Sequence, residues 1–274
     1  MATSDSLGGE DVIRSQAGLF QVCRRVSWAT PVASALSFVL LAQTARAQST
    51  IFNVPSTDVV DKARAYVEFD FLPQAPGPED GAATTIYNPR VVVGVGYNVE
   101  VGLNFPIYHN SDWDPTTLGY IQPDLKWKFF KNDMAGVAAA AGFVVNVPLN
   151  ASEDQGSWTY IYGNISKKWM GTHGPRLTAG PYGVIADQDS GLSTFVGTRG
   201  GVLVGYEQPL GGRFSFVADW FSGKNTIGYF TPGISISLPH SGLFNAGYSI
   251  GNDVGDETPD YKNRFLFFYY GVTF

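Results

Sequence analysis

Residues 263–274, the last stretch of the chain, read Asn-Arg-Phe-Leu-Phe-Phe-Tyr-Tyr-Gly-Val-Thr-Phe. Alternate positions counted back from Phe274 are apolar, namely Val272, Tyr270, Phe268 and Leu266. This period of two predicts a β-strand with one apolar face. An apolar strand left at the edge of a sheet promotes aggregation. We therefore predict that this strand pairs with another on its open side, the strand that begins near Arg64.

The same alternation recurs throughout the chain. In residues 64–71, for example, Val67 and Phe69 share one face, while Glu68 and Asp70 share the other. We predict twelve strands, near residues 64–71, 88–97, 100–107, 121–129, 135–149, 157–169, 175–187, 194–209, 213–223, 227–239, 243–252 and 263–274. Strands of this kind with an even count are typical of bacterial transmembrane β-barrels.

The connections between these strands alternate in length. Short ones are expected at 97–98, 131–133, 171–174, 210–213 and 239–242, and longer ones at 72–85, 109–118, 150–156, 187–193 and 252–262. Only the connection at 222–225 breaks this alternation, because it is short although it falls on the outer side, where longer loops are expected. Because bacterial barrels alternate short periplasmic turns with longer outer loops, the pattern predicts an all-β fold: an antiparallel up-and-down transmembrane β-barrel of about 12 strands.

The front of the chain has the features of an export signal. Arg24 and Arg25 precede an apolar stretch at 26–42, and Ala45-Arg46-Ala47 supplies a small-x-small cleavage pattern. We predict a signal peptide at 1–47 that is removed, a periplasmic lead-in at 48–61 and a transmembrane barrel at 62–274. Twin-arginine export is the alternative interpretation of Arg24 and Arg25. Cys23, the one cysteine, would leave with the signal, which excludes disulfides from the mature chain.

Charge and hydropathy narrow the function further. Removing residues 1–47 takes away four of 18 bases and three of 24 acids, so the formal net charge changes from −6 to −7. An acidic chain is not expected to bind nucleic acid. Beyond the signal, no apolar run approaches the roughly 18 residues that a spanning helix needs.

Aromatic residues cluster where the strands should cross the lipid boundary. Amphipathic rings favour that boundary, so we predict an aromatic girdle. Its members are Trp127, Phe129, Trp158, Trp169, Trp220, Phe230, Tyr269 and Tyr270. A soluble barrel with an aromatic core is the alternative, and periodicity alone does not distinguish them.

Charged residues on the polar faces are predicted to line the lumen. They are Arg64, Glu68, Asp70, Arg90, Glu100, Asp124, Lys126, Lys128, Lys168, Arg176, Arg199 and Asp219. Both signs are present, so a salt-bridged interior without a path and a hydrophilic path for a small solute both remain open. Bases outnumber acids on the second to eighth strands, which predicts a weak preference for anionic or polar-conjugated solutes. Any pore in a barrel of this size should be narrow.

The long connections are rich in acids, which could bridge to lipopolysaccharide through calcium or simply be solvated. No spacing matches a calcium loop, and we predict no metal and no cofactor. The mature histidines are His109, His173 and His240. Although His109 lies near Ser111, neighbours in a loop do not form a triad. We therefore expect no enzymatic activity, with a lipid-modifying enzyme as the less favoured alternative.

Three segments resemble a known family: Gly96–Ile107, with the pattern Gly-Tyr-Asn-Val-Glu-Val-Gly-Leu-Asn-Phe-Pro-Ile, then Pro123–Lys128 and Phe143–Pro148. They look like the outer-membrane proteins named after the meta-pathway of phenol degradation. The resemblance implies a small barrel that admits aromatic or other hydrophobic compounds.

The terminal aromatic strand also resembles the assembly signal of outer-membrane barrels, which implies that the barrel assembly machinery recognises Phe274. The predicted partners are therefore outer-membrane lipids, lipopolysaccharide, that machinery and a small-molecule solute. We predict an outer-membrane protein for passive passage of small molecules. A non-conducting structural or interaction barrel is the alternative.

Overall fold

The computed structural model describes residues 49–74, 83–112, 116–149, 156–171, 173–186, 195–252 and 264–274. The predicted signal peptide and most of the acidic residues in the long connections lie outside these ranges. The strands are β1 (Ala65–Pro73), β2 (Thr85–Gly96), β3 (Val99–Asn104), β4 (Ile107–His109), β5 (Thr117–Asn132), β6 (Val137–Pro148), β7 (Trp158–Lys168), β8 (Arg176–Ala186), β9 (Gly200–Gly211), β10 (Phe214–Phe221), β11 (Tyr229–Ser237), β12 (Gly242–Gly251) and β13 (Arg264–Thr273).

The sheet is antiparallel and closes on itself through β1. Phe69 of β1 lies opposite Pro89 of β2 on one side and Tyr270 of β13 on the other. At the seam, the Phe274 amide donates to the Ala65 carbonyl at 2.8 Å. Closure leaves β1 and β13 without a free edge, which is the pairing predicted for the terminal strand.

The count of twelve spanning strands is confirmed for the described residues. The structure divides the third spanning strand into β3 and β4, which both pair with β2 and with β5. The break falls at Phe105 and Pro106, since proline has no amide hydrogen to donate to the ladder. These two short strands therefore form one crossing of the barrel.

Tight turns close the short end of the hairpins. Tyr97 and Asn98 have φ of 55° and 59°, and His240 and Ser241 have φ of 56° and 57°. Two successive residues with positive φ form the type I′ geometry that matches the twist of paired strands. These turns lie where the sequence predicts short connections, and we call this end of the barrel the short-turn end.

The connection after β10 covers residues 222–228 and folds against residues 195–199. Gly197 bridges to Asn225, and the side-chain Nδ2 of Asn225 donates to the Thr198 carbonyl at 2.8 Å. This contact explains why β9 begins at Gly200 rather than at the predicted residue 194.

The two faces of the barrel differ in polarity, as predicted. Outward positions such as Phe69, Trp127 and Tyr270 are about half exposed, while inward Glu68 and Lys126 are buried. An apolar exterior around a polar interior, in a closed antiparallel barrel, is the architecture of outer-membrane proteins. Among the described residues, no helix is both long enough and apolar enough to cross a membrane.

The predicted girdle is wrong at two positions. Trp158 and Tyr269 are buried inside the barrel, whereas Trp127, Phe129, Trp169, Trp220, Phe230 and Tyr270 are exposed on the outside. Tyr269 precedes the outward Tyr270, and neighbouring residues of a strand face opposite sides. Trp158 packs against Phe195 with ring centroids 5.1 Å apart, in an interior apolar cluster.

Candidate functional site

Residues 49–61, which we call the inner segment, lie inside the barrel. Ile51, Val54 and Ser56 have no solvent-exposed surface, and every other residue from 49 to 60 except Asn53 and Asp58 is also buried. The segment folds back on itself, because Thr50 bridges to Pro55. The sequence predicts only a periplasmic lead-in at 48–61, and the contacts of these residues with the barrel wall were not predicted.

One end of the inner segment binds a buried ion pair on β3 and β5. Lys126 Nζ lies 2.8 Å from Glu100 Oε1 and donates to the Ser49 carbonyl at 2.7 Å. The Ser49 hydroxyl donates to Glu100 Oε1 at 2.5 Å, and the Val60 amide donates to Glu100 Oε2 at 2.7 Å. Glu100 thus holds both ends of the segment, and the ion pair is satisfied by added hydrogen bonds as a buried pair requires.

The middle of the segment is held by Asp219 on β10. Three successive amides, of Phe52, Asn53 and Val54, donate to Asp219 Oδ2 at 3.1, 2.6 and 2.7 Å. A carboxylate that accepts several backbone donors forms charge-assisted bonds, which are the stronger kind. Asp219 therefore fixes the tip of the segment in the lumen.

Two asparagines of the barrel wall bind carbonyl groups of the inner segment. Asn164 donates to the Pro55 carbonyl at 2.5 Å, and Asn245 donates to the Ile51 carbonyl at 3.1 Å. The Tyr269 hydroxyl donates to the same Ile51 carbonyl at 3.0 Å.

Further along, Asp58 pairs with Arg176 of β8, which also binds Glu207 of β9. Partial burial raises the pKa of Asp58, but the Arg176 guanidinium outweighs it, so the pKa lies below its ordinary value. Asp58 is therefore ionised at neutral pH, and the pair ties the segment to the wall.

Small residues in the wall make room for the segment. A Cβ atom on Gly205 would lie 2.1 Å from Ile51 Cδ1, and one on Gly247 would lie 2.6 Å from Phe52 Cζ. Phe52 also packs on Phe267, with ring centroids 5.2 Å apart. Since the glycines fit the apolar side chains, the segment and the wall are complementary in shape.

The inner segment lies between two cavities that have no lining residue in common. The main cavity, about 440 Å³, lies toward the long connections, where Thr84, Tyr108 and Tyr229 line it. The smaller cavity, about 250 Å³, lies toward the short-turn end, beside Asn132 and Gly171. Thr57 and Asp58 border the smaller cavity, whereas Ser49, Thr50, Phe52, Asn53 and Pro55 border the main one.

The main cavity has two chemically different walls. The wall formed by β1 to β6 carries polar side chains: Asp70, Asn88, Arg90, Asn104, Gln122, Asp124 and Asn146. The wall formed by the later strands carries aromatic rings: Trp158, Tyr160, Tyr162, Phe221, Tyr229, Phe265 and Phe267. A cavity with this division suits a small molecule that is apolar at one end and polar at the other.

Six buried polar atoms on the polar wall have no hydrogen-bond partner among the residues that the structure describes: Asp70 Oδ1, Asn88 Oδ1, Arg90 Nε, Asn104 Oδ1, Asp124 Oδ2 and Asn146 Nδ2. Buried polar groups are nearly always hydrogen-bonded, to protein, water or ligand. These atoms therefore mark the side of the cavity where a bound molecule can place hydrogen-bonding groups.

The predicted lumen residues fall into three groups. Arg90, Glu100, Lys126, Arg176 and Asp219 bind the inner segment. Asp70 and Asp124 line the main cavity, and Glu68 pairs with Arg90 at 3.6 Å. The others lie nearer the solvent: Arg64, Lys168 and Arg199 are exposed, and Lys128 is half-buried.

The histidines lie apart from this site. His109 Nδ1 lies 3.1 Å from Thr117 Oγ1, and none of the hydrogen bonds found in the described ranges joins His109 to Ser111. His173 and His240 lie at the short-turn end. In the part of the chain that the structure describes, no cluster of three His, Cys, Asp or Glu side chains could hold a metal ion.

Comparison with known proteins found no matching family model and no match among curated proteins. Solved structures that match include outer-membrane β-barrels. CdiB from Acinetobacter baumannii is 8% identical over 78% of this chain and 60% of its own, with a TM-score of 0.36. The translocator domain of the autotransporter NalP from Neisseria meningitidis is 12% identical over 77% of this chain and 87% of its own, with a TM-score of 0.38.

A mutant porin of Rh. blastica is 11% identical over 77% of this chain and 98% of its own, with a TM-score of 0.29. Because the match covers only 60% of CdiB, this chain spans less than two thirds of that protein's length. Identities and scores this low assign neither a family nor a function, so the architecture rests on the strand pairing described above.

Proposed function

We propose that this chain is an outer-membrane barrel for passive passage of small molecules, aromatic and hydrophobic ones among them. In this proposal residues 1–47 are a cleaved signal peptide, and the short-turn end faces the periplasm. Outer-membrane lipids and lipopolysaccharide surround the barrel, and the barrel assembly machinery recognises Phe274. The chain acts as a channel and not as an enzyme.

The observation that carries the proposal is the main cavity. Its volume of about 440 Å³ lies in the range of small-molecule sites, about 300 to 1,000 Å³. The inner segment separates it from the smaller cavity, so displacement of that segment would join the two into a path along the barrel. The resemblance to the phenol meta-pathway family agrees with an aromatic solute.

A second candidate function is a non-conducting barrel of the outer membrane. The observation in its favour is the number of anchors on the inner segment, which binds side chains of β3, β5, β7, β8, β10, β12 and β13. A segment held this firmly would keep the lumen closed.

Conductance in planar bilayers separates the two functions. The chain beginning at Gln48 is compared with a variant that lacks residues 48–60. For a channel we expect brief openings of the first protein and sustained openings of the variant. A silent first protein with a conducting variant supports the non-conducting barrel, while silence of both refutes passage through this lumen.

A further inference from the structure

The charge around the main cavity is acidic on balance. Its charged lining residues are Asp70, Glu100, Asp124 and Arg90. Glu100 is paired with Lys126, and Arg90 lies 3.6 Å from Glu68. Asp70 and Asp124 thus face the cavity without an ion pair among the described residues. The bases that predict a preference for anions, such as Lys126 and Arg176, are engaged elsewhere.

The unpartnered atoms on the same wall agree with this balance. Asp70, Asn104 and Asn146 are all more than nine-tenths buried, and each has a polar atom that no group in the described ranges hydrogen-bonds. The Asp70 carboxylate accepts a hydrogen bond from Asn88 at 2.7 Å through its other oxygen, and it also lies beside the Glu68 carboxyl. A buried carboxylate without a cation is costly unless further donors reach it. A ligand that brings a positive charge and N–H donors removes that cost.

The opposite wall suits an aromatic body. Tyr160 lies beside Phe221 in an edge-to-face arrangement, with ring centroids 6.0 Å apart, and beside Trp158 at 6.4 Å. Aromatic rings prefer such offset and edge contacts with one another. A flat ring placed here would have its substituent directed at the polar wall.

We propose that the main cavity binds small aromatic ammonium compounds, with the ring against Trp158, Tyr160 and Phe221 and the ammonium group between Asp70 and Asp124. This inference rests on the proposed function, since it names the solute class of the same cavity. It also reverses the predicted preference for anions.

Three probes of matched size test the charge preference: 2-phenylethylammonium, 2-phenylethanol and 3-phenylpropionate. Their affinities for the purified protein in detergent are measured by calorimetry. We expect the ammonium to bind about tenfold more tightly than the alcohol, as a charge-assisted bond implies, and the carboxylate to bind most weakly. Equal or tighter binding of the carboxylate overturns the inference, and this comparison needs no variant.

Two variants then locate the ammonium group. Asp124→Asn and Asp70→Asn should each lower the affinity for 2-phenylethylammonium about tenfold and leave that for 2-phenylethanol unchanged. Asp133→Asn is the matched control, because Asp133 lies in a turn with its side chain 78% exposed, paired with Lys131. Unchanged ammonium affinity in both cavity variants, or an equal loss in the control, contradicts the site.

Flux measurements keep this test separate from that of the proposed function. Uptake of the same three probes is followed in protein-containing vesicles. Selective binding without uptake would refute passage and leave the binding site standing. Uptake that does not depend on the charge of the probe would refute the inference and leave the channel standing.

Discussion

Replacing Asp219 by alanine should release the inner segment from the barrel wall. Asp219 Oδ2 accepts the amides of Phe52, Asn53 and Val54, and the side chain is 2% exposed. Hydrogen bonds to a charged group are worth about 1.5 to 3 kcal/mol each, but bonds that share one acceptor do not add fully. We expect a loss of about 3 kcal/mol, or roughly a hundredfold shift toward the undocked state.

Thiol labelling measures this shift. A chain beginning at Gln48 lacks Cys23, so Ser56→Cys introduces a single thiol at a fully buried position of the segment. With rapid opening and closing, the labelling rate by a maleimide follows the population of the open form. We expect about a hundredfold faster labelling in Asp219→Ala than in the parent.

Asp219→Asn is the matched variant, because it keeps an acceptor oxygen but loses the charge. Neutral bonds are about half as strong as charge-assisted ones, so labelling should rise only about tenfold. Asp133→Asn should leave the rate unchanged. Parent-like labelling of Asp219→Ala in a protease-resistant barrel would show that the three amide bonds do not hold the segment.

Two further predictions concern Asp58 and Phe274. The pKa of Asp58 is lowered by Arg176, so its contribution to docking is present above the ordinary pKa of about 4 and lost only as pH falls through the folded value. Asp58→Asn should therefore raise the labelling rate of Ser56→Cys by the same factor at about pH 8 and pH 5, and an effect of Asp58→Asn that disappears near pH 6 would contradict the pairing. The Phe274 side chain is 66% exposed while its amide bonds to Ala65. Phe274→Ala should thus fold into lipid vesicles like the parent but accumulate less in cell outer membranes, and a loss of folding in vesicles would assign Phe274 to stability instead of assembly.

Strand periodicity predicts the barrel well, because alternation reports directly which side chains share a face. It predicts the lumen less well, since alternation does not reveal what fills the interior. Phe267 and Tyr269 illustrate the limit. They alternate with an outward apolar stripe, so the terminal strand is aromatic on both faces, a sign that part of the lumen is apolar.

The inner segment had a signal in the sequence as well. Ile51, Phe52 and Val54 form an apolar cluster, and exposing such a cluster to water in a solvated lead-in would be unfavourable. Their partners could not be identified, because Asp219 and Asn245 follow them by more than 160 residues and no local pattern links such distant positions.

The lumen charges thus divide between two tasks, holding the inner segment and lining the main cavity, and Glu100 takes part in both. Glu100 pairs with Lys126, Arg176 pairs with Asp58 and Glu207, and Asp219 accepts backbone amides of the inner segment, so these charges are compensated while the segment is docked. Undocking would leave those groups facing water in a wider lumen. A solute would then pass charges that the docked state conceals, and the selectivity of binding in the main cavity need not equal the selectivity of passage.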